Sequence, residues 1–162
     1  MTINVGDRLP SVTLRQVTPE GPKEVSSDDF FRGKKVVLLA VPGAFTPACS
    51  QRHLPGYVNR AGDIKAKGVD EIACVAVNDA AVMGAWGRDQ KTEGKVTMLA
   101  DGSGDFARAL GLELDLSKGG LGTRSKRYSM LVDNGIVKSL NVEQQPGQVE
   151  ASSAEAMLKA LV

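Results

Sequence analysis

Cys49 is the residue whose type and position point most directly to chemistry. It closes the segment Thr46-Pro47-Ala48-Cys49, which has the pattern of a helix start, because threonine is a preferred N-cap and proline is favoured at the first helical position. Cys49 is then the third helical residue, where free backbone N–H groups and the helix dipole favour a thiolate over a thiol. We therefore predict a reactive nucleophile, against the alternative that Cys49 is a small buried apolar residue.

Two neighbours of Cys49 decide which kind of thiol chemistry is open to it. Thr46 stands where thioredoxin-type oxidoreductases carry the first cysteine of Cys-x-x-Cys, so dithiol exchange within this segment is excluded. His53 lies four residues after Cys49 on the same face of the predicted helix, and a Cys–His pair raises the alternative of a hydrolase. His53 lies along the helix rather than at its N-terminal mouth, which favours packing or site polarity as its role.

The composition narrows the class of protein. Lys plus Arg is 20 and Asp plus Glu is 19, so the net charge of +1 gives no general field for nucleic acid. One histidine and two cysteines cannot supply the four ligands of a Cys/His zinc site, and we expect no metal and no cofactor. Two cysteines are also too few for a secreted disulfide scaffold.

Length and apolar patterning predict one domain, residues 1–162, of ordinary globular composition, with 42% hydrophobic and 24% charged residues. The longest apolar run, residues 36–41, is too short to span a membrane. Residues 1–7 have neither the basic nor the apolar part of a signal peptide. We therefore expect a cytoplasmic protein without a membrane partner.

The elements that must position Cys49 are an alternation of apolar strands and helices. Asp133-Asn134-Gly135 lies between two apolar runs and predicts a hairpin, and Ser152-Ser153-Ala154-Glu155 has a capping-box pattern that predicts a last helix. The order favours an α/β fold of thioredoxin type, a central mixed sheet flanked by helices. The predicted strands are residues 10–14 (an edge strand), 36–41, 72–77, 95–99, 127–132 and 136–142, and the predicted helices are 46–64, 80–90, 106–110 and 152–162.

The segment around Cys49 also resembles a known family. Pro42-x-x-x-Thr46-x-x-Cys49 is similar to the active-site signature of the peroxiredoxins. The fuller pattern over residues 42–56, Pro-Gly-Ala-Phe-Thr-Pro-x-Cys-Ser-x-x-His-Leu-Pro-Gly, resembles the type II branch, the peroxiredoxin-5 subfamily. The similarity spans nearly the whole chain and continues through residues 68–72, 77–79, 85–86, 100–104, 110–116 and 126–130.

The resemblance implies a thiol peroxidase that reduces hydrogen peroxide and alkyl hydroperoxides in antioxidant defence and redox homeostasis. It implies that Cys49 is the peroxidatic residue, which attacks the O–O bond and becomes a sulfenic acid. By the same resemblance Thr46 orients the thiolate and the peroxide, Arg127 is the cation that holds the site together, and Pro42 shields it from water. Gly43, Thr46 and Cys49 would bind the substrate.

Arg127 has a second interpretation when the family is set aside. Arg124 and Lys126 lie beside it, nothing in the sequence singles one of them out, and a solvated charge at the start of a strand is then favoured. The whole protein also has a rival interpretation, as a non-enzymatic thioredoxin-fold redox sensor or interaction module that is switched by oxidation of Cys49.

Cys74 lies 25 residues after Cys49 and leaves two interpretations open. In plant-like type II members, a cysteine at this spacing resembles the resolving residue, which forms a disulfide with the peroxidatic one. A thiol inside a buried strand is unreactive, however, and then glutathione or glutaredoxin would attack the Cys49 sulfenate directly. The resemblance implies glutaredoxin with glutathione, or thioredoxin, as reductant.

The resemblance further implies a homodimer that forms through the loop and helix edge around the active site. Phe45, Pro47 and the region of Trp86 are the candidate contacts.

Overall fold

The computed structural model describes residues 2–161. Strands β2, β1, β5, β4, β3, β8 and β9 lie side by side, in that order, in one mixed sheet, and β6 and β7 form a separate two-stranded hairpin. The strands are β1 (Thr13–Thr18), β2 (Gly21–Ser26), β3 (Lys35–Val41), β4 (Glu71–Ala76), β5 (Thr97–Ala100), β6 (Glu113–Leu116), β7 (Gly122–Ser125), β8 (Tyr128–Asp133) and β9 (Ile136–Val142).

Helices cover both faces of this sheet. They are α1 (Ser27–Phe31), α2 (Leu54–Asn59), α3 (Ala61–Lys65), α4 (Ala80–Asp89), α5 (Asp105–Leu110) and α6 (Ala154–Ala160), together with a π-helical turn (Cys49–His53) and a 3-10 turn (Ser117–Gly119). Within residues 2–161, no helix combines the length and the apolar character that crossing a bilayer needs.

Strand β3 is the centre of the core. It pairs in parallel with β4 and antiparallel with β8, and its residues Val36–Val41 are completely buried, as a strand covered on both faces should be. Alternate β3 residues enter two apolar clusters on opposite sides of the sheet. One cluster contains Cys49, Cys74 and Trp86, so the carboxyl end of β3 and this cluster together position the segment that carries Cys49.

The amino-terminal part of the sheet differs from the prediction. Residues 10–14 were expected to form an edge strand, but β1 begins at Thr13 and lies between β2 and β5. The edge is β2, which the sequence analysis missed, as it also missed α1, β6 and β7. These strands are short and polar, with their side chains largely in solvent, so their sequences lack the apolar alternation that predicts a strand.

The predicted helix 46–64 is interrupted rather than continuous. The π-helical turn carries a hydrogen bond from the Leu54 N–H to the Cys49 carbonyl, and α2 and α3 are separated at Arg60, whose φ of −106° and ψ of 13° leave the helical region. Pro55 and Gly56 both lie inside α2. Pro55 has no N–H to donate, and it directly follows the turn in which the bonding pattern has already shifted.

The carboxyl-terminal elements follow the prediction with one correction. Asn134 and Gly135 have φ angles of 49° and 82°, the left-handed values that the predicted hairpin turn requires. Helix α6 is capped by Ser153, whose hydroxyl accepts from the Ala156 N–H, and not by Ser152 as the capping-box pattern indicated. The Ser152 hydroxyl instead donates to a carboxylate of the preceding loop.

Candidate active site

The loop after β3 brings Thr46 and Gly43 together. Thr46 lies directly before the helical residues, and its carbonyl accepts the Ser50 N–H at 2.9 Å, so Cys49 is the third helical residue as predicted. Its hydroxyl, however, donates to the Gly43 carbonyl at 2.7 Å and does not cap the helix. Because that proton is already used, the Thr46 oxygen is left as an acceptor for an incoming O–H group.

Gly43 is required by space and not by backbone conformation. Its φ lies outside the left-handed region, but a Cβ there would lie 3.0 Å from a guanidinium nitrogen of Arg124 and 3.1 Å from the Thr46 methyl carbon. Gly43 and its neighbour Pro42 are buried, whereas Thr46 is half-buried. A side chain at position 43 would therefore push against Thr46.

Arg127 is the buried cation of the site. It is 2% exposed, so the alternative of a solvated charge is wrong. Its Nη2 donates to the Cys49 Sγ at 3.1 Å, its Nη1 contacts the His53 Nδ1 at 2.9 Å, and its Nε donates to the Pro146 carbonyl at 2.9 Å. No ion pair among residues 2–161 includes Arg127. Its positive charge is therefore available to a thiolate on Cys49.

His53 is neutral and holds Arg127. Burial, and next the charge of Arg127, lower the pKa of His53 from 6.5 to about 3. Its Nε2 lies 3.0 Å from the Ser152 carbonyl, which can only accept, so Nε2 carries the proton and Nδ1 accepts from Arg127. Because its Nδ1 accepts from Arg127 and its pKa is low, His53 cannot act as a general base. The alternative of a Cys–His hydrolase therefore lacks its base.

The loop 143–153 forms the back wall of the site through its backbone carbonyls. Besides the carbonyls already named, the Gly147 carbonyl accepts from Arg52 at 2.6 Å, and the Ser152 carbonyl also accepts from the Tyr57 hydroxyl at 2.8 Å. Burial raises the pKa of Tyr57, which therefore stays a donor. This wall could not be predicted from the sequence, because every residue has a backbone carbonyl and no side-chain pattern shows which carbonyls face the site.

Cys74 is a buried free thiol in β4. It is completely buried, it pairs in register with Leu39 of β3, and burial raises its pKa. Cys49 and Cys74 belong to the same apolar cluster and are both reduced. Since a thiol, and not a thiolate, is the stable form of Cys74 here, a resolving role stays a prediction that would need rearrangement of the fold.

The three candidate contacts of a dimer differ in exposure. Phe45 is 52% exposed and adopts a left-handed φ of 65°, and Pro47 is also exposed. Trp86 is completely buried, with its indole N–H donating to the Ser50 hydroxyl at 2.9 Å, so it belongs to the core and cannot itself touch a second chain. The exposed apolar surface beside the site is therefore that of Phe45.

Comparisons with known proteins cover almost the whole chain. Residues 4–158 match the Redoxin family. The chain is 51% identical to Peroxiredoxin-2E, chloroplastic, of Arabidopsis thaliana, over 99% of this chain and 70% of that protein. It is 50% identical to Peroxiredoxin-2C of Oryza sativa subsp. japonica, over 98% of each. The crystal structure of reduced Prx3 in complex with H2O2 from Vibrio vulnificus superposes with a TM-score of 0.94, at 54% identity, over 99% of this chain and 100% of that one.

Proposed function

Because this chain belongs to the Redoxin family and is a peroxiredoxin, a thiol peroxidase, we propose that Cys49 is its peroxidatic residue. One observation carries the proposal: the Cys49 Sγ accepts a hydrogen bond of 3.1 Å from a buried arginine that has no carboxylate partner within residues 2–161. Family membership also decides against the non-enzymatic sensor, since peroxiredoxins are enzymes.

The proposed first step is attack of the Cys49 thiolate on the O–O bond of the peroxide. The sulfur electron pair forms a new S–O bond while the O–O bond breaks, so sulfur is oxidised to a sulfenic acid and the peroxide is reduced. The second oxygen leaves as hydroxide or alkoxide and takes up a proton to become water or an alcohol. Arg127 stabilises the negative charge on sulfur before the step and on the leaving oxygen during it.

The remaining site residues serve to hold the peroxide. The Thr46 oxygen, whose proton is already given to Gly43, accepts the peroxide O–H and so orients the molecule against the sulfur. Backbone N–H groups of the first helical turn donate to the peroxide oxygens. The buried Pro42 and Gly43 keep bulk water away from this point, which strengthens each of these hydrogen bonds.

The proposed second step is reduction of the sulfenic acid by an external thiol. The sulfur of the reductant attacks Cys49, an S–S bond forms, and water leaves; a second thiol of the reductant then releases Cys49. Burial raises the pKa of Cys74 and keeps it a thiol, which supports this direct route, with glutaredoxin and glutathione, or thioredoxin, as reductant. Hydrogen peroxide and alkyl hydroperoxides are the proposed substrates, and the homodimer and the cytoplasmic location stay predictions.

A peroxidase assay coupled to the consumption of NADPH tests both steps. Cys49→Ser removes the nucleophile, and we expect no turnover of hydrogen peroxide with either reductant. Cys74→Ser is the matched variant, and we expect it to keep wild-type turnover with both reductants. A loss with thioredoxin alone would instead assign Cys74 the resolving role, and mass spectrometry after one equivalent of peroxide would then find a Cys49–Cys74 disulfide.

A further inference from the structure

Glu143 is a buried carboxylate that the proposed mechanism does not use. It follows β9 directly and is 8% exposed. Its Oε2 accepts the Ser152 N–H at 2.7 Å, the Ser152 hydroxyl at 2.6 Å and the Glu150 N–H at 2.7 Å. Burial alone would raise the pKa of Glu143, but these donors outweigh it and the pKa is lowered. The side chain is therefore an anion throughout the neutral pH range.

Ser152 connects this carboxylate to the site. It is completely buried, its N–H and hydroxyl are held by Glu143, and its carbonyl on the other side accepts from His53 and Tyr57. His53 accepts from Arg127, and Arg127 donates to Cys49. A continuous series of hydrogen bonds thus leads from the Glu143 carboxylate to the reacting sulfur.

The backbone of Glu143 reinforces the same connection. Its N–H donates to the Arg127 carbonyl at 2.9 Å, while Pro146, which accepts the Arg127 Nε, lies within the loop that the carboxylate closes. Glu143 therefore holds both ends of this loop. Its backbone N–H binds the Arg127 carbonyl at the first end, and its carboxylate binds residues 150 and 152 at the second. This closure fixes the positions of the Pro146 and Ser152 carbonyls. Through these carbonyls it also fixes the orientation of the Arg127 guanidinium.

We propose that Glu143 is a positioning residue for peroxide reduction, which acts through Ser152 and His53 to hold the Arg127 guanidinium on the Cys49 sulfur. The inference rests on the proposed roles of Cys49 and Arg127. It concerns the reach of the carboxylate, since a shorter or apolar side chain would leave the buried N–H and hydroxyl of Ser152 and the part-buried N–H of Glu150 without an acceptor, and the loop would move to satisfy them.

Three substitutions separate reach from charge. Glu143→Gln keeps an acceptor oxygen at the same distance and removes the charge, Glu143→Asp keeps the charge and shortens the side chain, and Glu143→Ala removes both. Glu113→Gln is the matched control, because it removes one negative charge from an exposed side chain of β6, outside the loop 143–153. Trp86, the single tryptophan, bonds to Ser50 beside Cys49, so its fluorescence reports the oxidation step in stopped flow.

We expect Glu143→Ala to slow oxidation by hydrogen peroxide by roughly 10- to 100-fold, the usual effect of losing a group that orients a reacting one. Glu143→Asp should lie between Glu143→Ala and wild type, and Glu143→Gln should stay within about threefold of wild type because its reach is kept. The rate constant of the reductant step should not change.

Several results would overturn the proposal. A wild-type oxidation rate in Glu143→Asp would do so, even if Glu143→Ala did not fold. So would equal slowing of both steps in proportion to the unfolded fraction seen by near-ultraviolet circular dichroism, since that is a merely structural effect. Peroxide turnover that survives in Cys49→Ser would overturn the proposed function itself, and this inference with it. An inactive Cys49→Ser together with Glu143 variants that match Glu113→Gln would overturn this inference alone.

Discussion

At the scale of single residues, the site is built around Arg127, a buried cation that pairs with no carboxylate within residues 2–161. A buried charge costs free energy unless other groups compensate it, and the groups that do so for Arg127 are two neutral acceptors and the Cys49 sulfur. Two neutral acceptors orient the guanidinium but leave its charge unbalanced. Under the proposed function, a thiolate on Cys49 would supply the missing negative charge.

Arg127→Lys tests whether the charge alone is enough. A lysine ammonium is a point charge on a flexible stem and cannot hold the fork geometry that reaches sulfur, imidazole and carbonyl together. We expect the rate constant for oxidation by hydrogen peroxide to fall by about 100-fold, the equivalent of losing one charge-assisted hydrogen bond. Lys126→Gln removes the neighbouring charge and should keep the wild-type rate. A wild-type rate in Arg127→Lys would contradict the role of the fork.

His53 makes the stability of the protein depend on pH. Its pKa is 6.5 in an unfolded chain and about 3 in the fold, so between these values the unfolded state binds a proton that the native state does not. Stability is therefore lost as pH falls below 6.5. Between pH 7 and pH 5 the free energy of unfolding should drop by about 2 kcal/mol from this residue.

Urea unfolding at both pH values measures that drop. His53→Gln, which keeps an amide to bridge the site but does not titrate, should lose most of the dependence while other groups leave a small residual slope. An unchanged dependence in the variant would mean that His53 is not held neutral. The oxidation rate constant of wild type should show no titration of His53 between pH 5 and pH 8, since its pKa lies below that range.

At the scale of elements, apolar patterning predicted the buried strands and helices but failed to predict the polar strands at the periphery of the fold. The buried strands β3 and β4, the helix α4 and the β8–β9 hairpin follow from runs of apolar residues and from Asn134-Gly135. Strand β2 and the hairpin of β6 and β7 carry polar, exposed residues and are held by pairing and by turns, which leave little trace in a single sequence. The helix start at Pro47 was predictable from the Thr-Pro pair, but the structure shows that Thr46 does not cap it, and the π-helical turn that follows was not predictable.

The N-cap of α6 is another feature that the sequence pattern alone could not assign. Ser152 and Ser153 both satisfy the N-cap preference, and the choice between them is made by Glu143, a tertiary partner that takes the first serine. Ser153→Ala should cost about 1 kcal/mol of unfolding free energy with little change in peroxide turnover, because it removes only a cap. Urea denaturation measures this, with the exposed Ser103→Ala as control. Equal stability of the two variants would mean that Ser153 does not cap α6.

At the scale of the whole molecule, the resemblance to the peroxiredoxins predicted more of the function than the pattern of strands and helices did. The motif over residues 42–56 and the further matching segments identified the family, and the comparisons confirm it over residues 4–158. Without the resemblance, the sequence could not show that Arg127 rather than Arg124 is the buried cation, because both are arginines near strand ends and only the fold leaves Arg124 half-buried in β7 and buries Arg127 between β7 and β8. It also could not show the loop carbonyls, since their place is set by Glu143 across the fold.

The predicted homodimer can be tested at the same scale, through the exposed ring of Phe45. A half-exposed phenylalanine in a left-handed conformation loses apolar contact to water and is strained, and burial against a second chain would offset both costs. Aspartate tolerates that conformation better than phenylalanine, so Phe45→Asp should fold, and sedimentation equilibrium should find monomers where wild type forms dimers. Val5→Asp changes an exposed apolar residue of the amino-terminal segment, 59% exposed, and should leave the dimer intact. Dimers that persist in Phe45→Asp, or that dissociate equally in Val5→Asp, would exclude the Phe45 surface as the interface.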